Sequence, residues 1–152
     1  MSTPKRILCP TDFGEASREA VRTAAELAGI FCAELILVHI VDPVRFVVVC
    51  PEACGVGVMA CSSTLNRIIE SATSAVRTLA RELMPAGFVR RARVEVGSPL
   101  ARILGVAQSE GTDLIVMGTR RRPWWRRVLA PSLAETVARR STCPVLLVHA
   151  AA

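Results

Sequence analysis

Two polar stretches that follow short apolar runs are the best candidates for chemistry in this chain. Asp12 comes just after the predicted strand at residues 6–10, and residues 117–132 continue from the predicted strand at residues 113–117. An apolar strand, a loop that opens on glycine and a helix N-terminus together form a common phosphate site, because the first helical amides point at the anion. The two stretches are therefore the place where such a fold would hold a nucleotide or phosphate, and whether this chain does so is the main question that its sequence raises.

The second stretch reads MGTRRRPWWRRVLAPS and is unusually rich in arginine and tryptophan. The net charge is +6, yet residues 118–141 hold seven of the 19 basic residues and one acid, Glu135. The excess positive charge is therefore concentrated in one segment. In a protein whose general surface binds nucleic acid, basic residues are usually spread over more of the chain. The arginines and tryptophans of this stretch have three possible roles: a contact with unpaired bases, a hot spot for a protein partner, and a solvated loop whose tryptophans pack on the next helix. The last is favoured over a partner interface, and nucleic acid is the least favoured.

Asp12 has two interpretations, and the sequence gives them equal weight. As a carboxylate at a strand end, it can accept hydrogen bonds from a ribose or a base. As a residue just before a predicted helix, it can instead cap the amides near Glu15. Ligands of open parallel sheets bind beyond the carboxyl ends of the strands, which adds Ile40, Met117 and Gly118 to the candidate nucleotide-binding residues.

Catalysis and metal binding have little support in the sequence. His39 lies within an apolar strand and His149 near the C-terminus, and neither has an evident Ser or Cys nucleophile. Cys50, Cys54 and Cys61 form a cluster, but their spacing is loose and no histidine is near. We therefore predict a protein that is not an enzyme and has no metal site.

Strand-like and helix-like patterns alternate along the chain. The predicted strands are residues 6–10, 34–41, 89–96 (an edge strand), 113–117 and 144–149. The predicted helices are residues 15–28 ended by Gly29, 62–84 capped by Ser62 or Ser63, a helix capped by Ser98 and closed by Gly111, and 133–140 opened by the Ser132–Glu135 capping box. Residues 42–63 form an irregular excursion, and residues 118–131 form the Arg/Trp-rich loop. Right-handed crossovers then predict an α/β fold with an open parallel sheet and helices on both faces.

Composition is typical of one globular domain spanning residues 1–152. Hydrophobic residues make up 51% and charged residues 21%, and aromatics only 4%, so aliphatic side chains must form the core. No apolar run is long enough to span a bilayer, and the N-terminus has no signal-peptide pattern. We expect a cytoplasmic protein without a membrane contact, whose Cys9, Cys32 and Cys143 are reduced and packed.

Four segments resemble the universal stress proteins. They read ILCPTDFGEAS from Ile7, LVHIVD from Leu37, DLIVMGT from Asp113 and STCPVLLV from Ser141. They occur in the family's order over nearly the whole chain. The resemblance implies a five-stranded, Rossmann-like parallel sheet of order 3-2-1-4-5, of the adenine nucleotide alpha hydrolase-like type. It also implies a homodimer, which in many members pairs the last strands, here Val145, Leu146, Leu147 and Val148.

Members of the family that bind ATP share the signature G-x2-G-x9-G-[S/T] after the fourth strand. On this chain Gly118 and Ser132 match its ends, whereas Arg121 and Pro131 replace its inner glycines. Arg121 disfavours a positive φ and fills space, and Pro131 removes a backbone donor. The resemblance therefore implies a stress-response dimer without catalysis, with weak or absent ATP binding and unknown protein partners. The alternative is a member that binds ATP or another adenine nucleotide and in which loop arginines replace the glycine contacts.

Overall fold

A computed structural model of the chain describes residues 3–46, 62–83, 89–119 and 131–150. Within them, strands and helices alternate as the sequence predicts. In chain order the elements are β1 (Arg6–Thr11), α1 (Glu15–Phe31), β2 (Glu34–Val41), α2 (Ser62–Leu83), β3 (Val89–Val96), α3 (Pro99–Ser109), β4 (Leu114–Thr119), α4 (Leu133–Arg140) and β5 (Val145–His149). A short 3-10 helix, Pro43–Phe46, follows β2.

The five strands form one parallel sheet in the order β3-β2-β1-β4-β5. This confirms the α/β class that the sequence pattern predicted and the strand order that the family resemblance implied. β3 and β5 are the edge strands, and β1 lies at the centre between β2 and β4. The pairing of β2 with β3 shifts register between Leu35 and Ile36, where β3 contains an irregularity.

Two apolar clusters hold the helices on opposite faces of the sheet. On one face, small side chains of α1 such as Ala20 and Ala24 pack with Val76 and Leu79 of α2 against Ile7 and its neighbours. The other face is covered by Ile103 and Val106 of α3 and by Ala134 and Val137 of α4. The alanine-rich stripe of α1 lets that helix approach the central strands closely, which matters for the candidate site below.

Several predicted bounds are confirmed. β2, β3 and α4 begin and end where the sequence predicts, and Ser98 and Pro99 are the N-cap and first residue of α3.

Other predicted bounds were wrong. α1 continues past Gly29 to Phe31, because Cys32 takes the left-handed conformation (φ 52°) and the Ala33 amide closes the helix on the Ala28 carbonyl. β4 includes Gly118 and Thr119, which pair with Val148 and His149, so the Arg/Trp loop does not start at residue 118. The excursion predicted for residues 42–63 contains the 3-10 helix and ends where α2 starts at Ser62.

Some predictions concern residues outside the described ranges. Cys50, Cys54 and Cys61 lie outside the described residues, as do Arg121 and the remainder of the arginine and tryptophan cluster. None of the helices in the described ranges is long and apolar enough to cross a membrane.

Candidate functional site

The candidate residues lie at the carboxyl edge of the sheet, around the ends of β1 and β4. The helix that follows β1, α1, covers one face of the sheet, whereas the helix that follows β4, α4, covers the other face. The strand order therefore reverses between the neighbouring strands β1 and β4. Asp12 follows β1 directly, Gly118 is in β4, and Ser132 precedes α4. A crevice at such a reversal is the usual ligand site of an open α/β sheet.

Two of the predicted residues have side chains that pack into the protein. Met117 is 5% exposed and belongs to the cluster beneath α3 and α4. Ile40 is half-buried and packs against the same cluster. Their side chains therefore belong to the apolar packing beneath the candidate site. Only their backbone groups remain as candidate ligand contacts.

A network of hydrogen bonds orders the turn from β1 into α1. The Asp12 carboxylate oxygen Oδ1 accepts the Gly14 amide at 2.9 Å and the Ser17 hydroxyl at 2.7 Å. The Thr11 hydroxyl accepts the Phe13 amide at 3.1 Å and lies 3.2 Å from the Ser17 hydroxyl. Asp12 thus secures the start of α1, as the capping interpretation expected, although the N-cap residue itself is Gly14.

The structural role of Ser17 was missed by the sequence interpretation. Ser17 is 6% exposed, and its hydroxyl also lies 2.9 Å from the Gly14 carbonyl oxygen. A hydroxyl in the first turn of a predicted helix, five residues after a strand-end aspartate, was the available signal. Such short polar side chains bond to nearby backbone and side-chain groups at helix starts.

Phe13 has a left-handed backbone, with φ of 63°, which is uncommon for a residue with a side chain. Its ring stacks on His39, with the ring centroids 4.5 Å apart and the planes inclined by 34°. The Nδ1 atom of His39 lies 2.7 Å from the Thr11 carbonyl oxygen. Because a carbonyl oxygen only accepts, Nδ1 carries the proton, and this hydrogen bond fixes the imidazole in the structure.

Gly118 is required by the packing of α1 against β4. A Cβ atom at this position would lie 2.2 Å from the Ala16 carbonyl oxygen and 2.6 Å from the Ser17 amide nitrogen. Both atoms are backbone, so no side-chain rotation relieves the overlap. Gly118 therefore allows the first turn of α1, which carries Ser17, to approach the sheet.

Ser132 and Glu135 form the predicted capping box at the start of α4. The Glu135 amide donates to the Ser132 hydroxyl at 3.1 Å, and the Ser132 amide donates to the Glu135 carboxylate at 3.0 Å. Two of the amides at the helix N-terminus are thereby satisfied within the protein. Pro131, just before the cap, has no amide hydrogen to offer.

The burial of the described cysteines bears on whether they can act as nucleophiles. Cys9, in β1, is fully buried, and desolvation raises the pKa of its thiol to about 12. It is therefore a protonated thiol at neutral pH and a poor nucleophile. Cys32, predicted to be packed, is exposed at the end of α1, because the left-handed cap places it beyond the helix. Within the described ranges no cluster of His, Cys, Asp and Glu is arranged to hold a metal ion.

Comparison with known proteins identifies the relatives of this fold. The model of the universal stress protein family matches residues 3–149. Universal stress protein MJ0577 of Methanocaldococcus jannaschii is 28% identical, with 95% of this chain and 94% of the relative covered. Universal stress protein MJ0531 of the same organism is 33% identical, with 95% of this chain and 81% of the relative covered.

Solved structures show the same similarity in three dimensions. A structure of MJ0577 superposes with a TM-score of 0.74 at 26% identity, covering 99% of both chains. A universal stress protein in complex with cAMP superposes with a TM-score of 0.69, covering 99% of this chain and 100% of that one. Its identity is 22%, so that similarity establishes the fold alone.

Proposed function

The chain belongs to the universal stress protein family, and from that premise we propose that it is a non-catalytic, cytoplasmic stress-response protein with a degenerate nucleotide site. Its ATP binding is weak or absent. The observation that carries this proposal is that both retained ends of the ATP signature have structural roles. Gly118 makes room for the backbone of α1, and Ser132 caps α4.

The inner positions of the signature support the same proposal. Pro131 offers no amide to a phosphate, and a lost donor to a charged acceptor costs about 1.5–3 kcal/mol. Arg121 brings a side chain to a place where a glycine would let the backbone approach the phosphates. The residues of the signature that remain are therefore those that the fold needs without a ligand.

The direct test is mass spectrometry of the gently purified protein under non-denaturing conditions. We expect the mass of the polypeptide without a nucleotide. Stoichiometric ATP or another adenine nucleotide that survives purification would overturn the proposal.

A second candidate function is nucleotide binding in which arginines replace the glycine contacts. One observation favours it: the Ser132 hydroxyl accepts the Glu135 amide, which leaves its own hydrogen to donate to a phosphate. Between Gly118 and Ser132 the chain also has five arginines, and guanidinium binds phosphate oxygens in a bidentate manner.

Replacement of Arg121 and Arg126 by Gln separates the two candidates. If the arginines hold the phosphates, this variant should bind ATP at least tenfold more weakly than the native protein. Replacement of Arg139 and Arg140 by Gln removes the same charge at the exposed end of α4 and serves as the control. An equal effect of both pairs, or no effect of either, would contradict arginine-mediated binding.

We also propose that the protein forms a homodimer through β5. The two sheet edges differ in chemistry: β3 carries Arg91, Arg93 and Glu95 and contains an irregularity, whereas residues Val145 to Val148 of β5 are all apolar. Leu146 is 39% exposed on that edge strand. Charges and irregular pairing discourage edge-to-edge association, so they favour β5 over β3 as the edge that pairs with a second copy.

A further inference from the structure

A groove of about 550 Å³ lies between the β1–α1 turn and the N-terminal part of α2. Its apolar lining consists of Phe13, Ile68, Ala72 and Ala75, and its polar lining includes Arg67 and Ser71. Phe13 packs with the α1–α2 cluster, so the groove is on the opposite face of the sheet from Ser132 and α4. It is thus distinct from the phosphate end of the ATP signature. Its volume is within the range of small-molecule sites.

The aromatic side of this groove is held in a strained conformation by several contacts. Phe13 keeps a left-handed backbone although glycine would adopt it at lower cost. Its amide is bound by the Thr11 hydroxyl, and its ring stacks on His39, which is itself bound to the Thr11 carbonyl. Strained residues that the surrounding structure holds in this way occur preferentially at binding sites.

Among the described lining residues of the groove, the charge has one sign. Arg67 is exposed and forms no ion pair with any residue in the described ranges, and none of the groove's described lining residues is acidic. A guanidinium stays protonated at every accessible pH and presents several donors to one anionic group. An apolar floor beside a cation that has no ion pair among the described residues complements a molecule with an apolar body and one negative head group.

We propose that this groove binds small amphipathic anions, with the apolar body against Phe13 and Ile68 and a carboxylate, sulfonate or phosphate at Arg67. The site uses neither Gly118 nor Ser132, the two retained ends of the ATP signature. Ala75 is exposed on the wall of the groove, and a larger side chain there fills the space without disturbing the core.

Two fluorescent probes that differ in charge test the proposal on the full-length protein. 1-Anilinonaphthalene-8-sulfonate has an aromatic body with a sulfonate, and N-phenyl-1-naphthylamine has the same body without it. Arg67→Gln should weaken binding of the sulfonate by up to about fivefold, the range of an exposed ion pair, and leave the neutral probe unchanged. Ala75→Trp should greatly weaken binding of both probes.

Arg77→Gln is the matched control. Arg77 lies on the same helix and also forms no ion pair among the described residues, but it lines a separate groove of about 410 Å³ that includes Glu70. This variant should leave both affinities unchanged. Equal effects of Arg67→Gln and Arg77→Gln, or probe affinities that Ala75→Trp leaves within about twofold with the fold intact by circular dichroism, would place the binding elsewhere and overturn the proposal.

Discussion

Gly118 has two interpretations: it matches the first glycine of the ATP signature, and it makes room for the backbone of α1. A side chain there would overlap the Ala16 and Ser17 backbone, so Gly118→Ala should destabilise the fold by about 1–3 kcal/mol or more. Gly105 in α3 is the matched control, because a Cβ atom there would have no neighbour within 4 Å. Gly105→Ala should stabilise the protein by up to about 1 kcal/mol, through helix propensity. Urea unfolding of both variants measures the difference, and equal stabilities would refute the packing role of Gly118.

Cys9 makes a prediction about alkaline pH. Burial raises the pKa of its thiol from 9.0 to about 12, so the folded protein holds a proton that the unfolded chain releases above pH 9. Stability from this thiol is therefore fully present below pH 9 and is lost between pH 9 and about 12, by roughly 1.4 kcal/mol per pH unit. The control is Cys9→Ala, whose unfolding free energy should fall less steeply over the same range. Parallel pH dependences of the two proteins would contradict the shift. The chain contains no tyrosine and only one lysine, which limits other titrations in this range.

Among the individual residues, sequence alone selected Asp12, Gly118 and Ser132 as candidates for the site but did not determine their structural roles. The role of Gly118 depends on the approach of α1, a helix about a hundred residues earlier in the chain. Ser132 was an exception, because a capping box is local and its spacing predicts both hydrogen bonds. The left-handed Phe13 and its stacking on His39 had no local signal, since the stacking joins the β1–α1 turn to β2.

At the scale of elements, ion pairs connect α3 to the edge strand. Glu110 caps the end of α3, and its carboxylate accepts Arg91 at 2.9 Å and Arg93 at 2.7 Å. Its carbonyl accepts the Arg6 guanidinium at 2.8 Å. A carboxylate is unfavourable at a helix C-terminus, and the three arginines offset that cost. The side chain of Glu110 is 16% exposed, so these contacts are partly shielded from solvent.

Glu110→Gln should therefore destabilise the protein by about 1–2 kcal/mol at low salt. The difference from the native protein should shrink as ionic strength rises from about 0.01 M to about 1 M, because salt screens the pairs. Glu70→Gln is the control, because Glu70 is an exposed acid of α2 without an ion pair among the described residues. Denaturant unfolding in a salt series measures both, and identical behaviour of the two variants would exclude a stabilising role for the ion pairs.

The apolar edge strand β5 carries the prediction for assembly. Leu146→Glu places a charge on the proposed dimer strand and should convert the dimer to a monomer, because the charge would be buried unpaired. Ile30→Glu is the control, since Ile30 is 72% exposed at the end of α1 and lies outside β5. Light scattering coupled to size-exclusion chromatography gives the masses. A native monomer, or a Leu146→Glu dimer, would contradict assembly through β5.

At the scale of the whole molecule, the alternation of strands and helices predicted the fold class, because periodicity and turn residues are encoded locally. β2 and β3 keep their predicted bounds, since apolar runs and alternation define them well. The errors arise where tertiary contacts override local signals. β4 continues through Gly118 because β5 supplies hydrogen-bonding partners, and α1 passes Gly29 because Cys32 accepts a left-handed backbone. Local patterns do not give the order of the strands in the sheet, which was inferred from the family resemblance.

The proposed loss of tight ATP binding rests on Arg121 and Pro131, which replace the inner glycines of the ATP signature. Calorimetric titration with ATP, applied to the native protein and to a variant that restores both inner glycines (Arg121→Gly with Pro131→Gly), tests it most directly. We expect no micromolar binding by the native protein and affinity at least about tenfold higher in the variant, which regains a backbone donor. Micromolar or tighter binding of ATP by the native protein would contradict it.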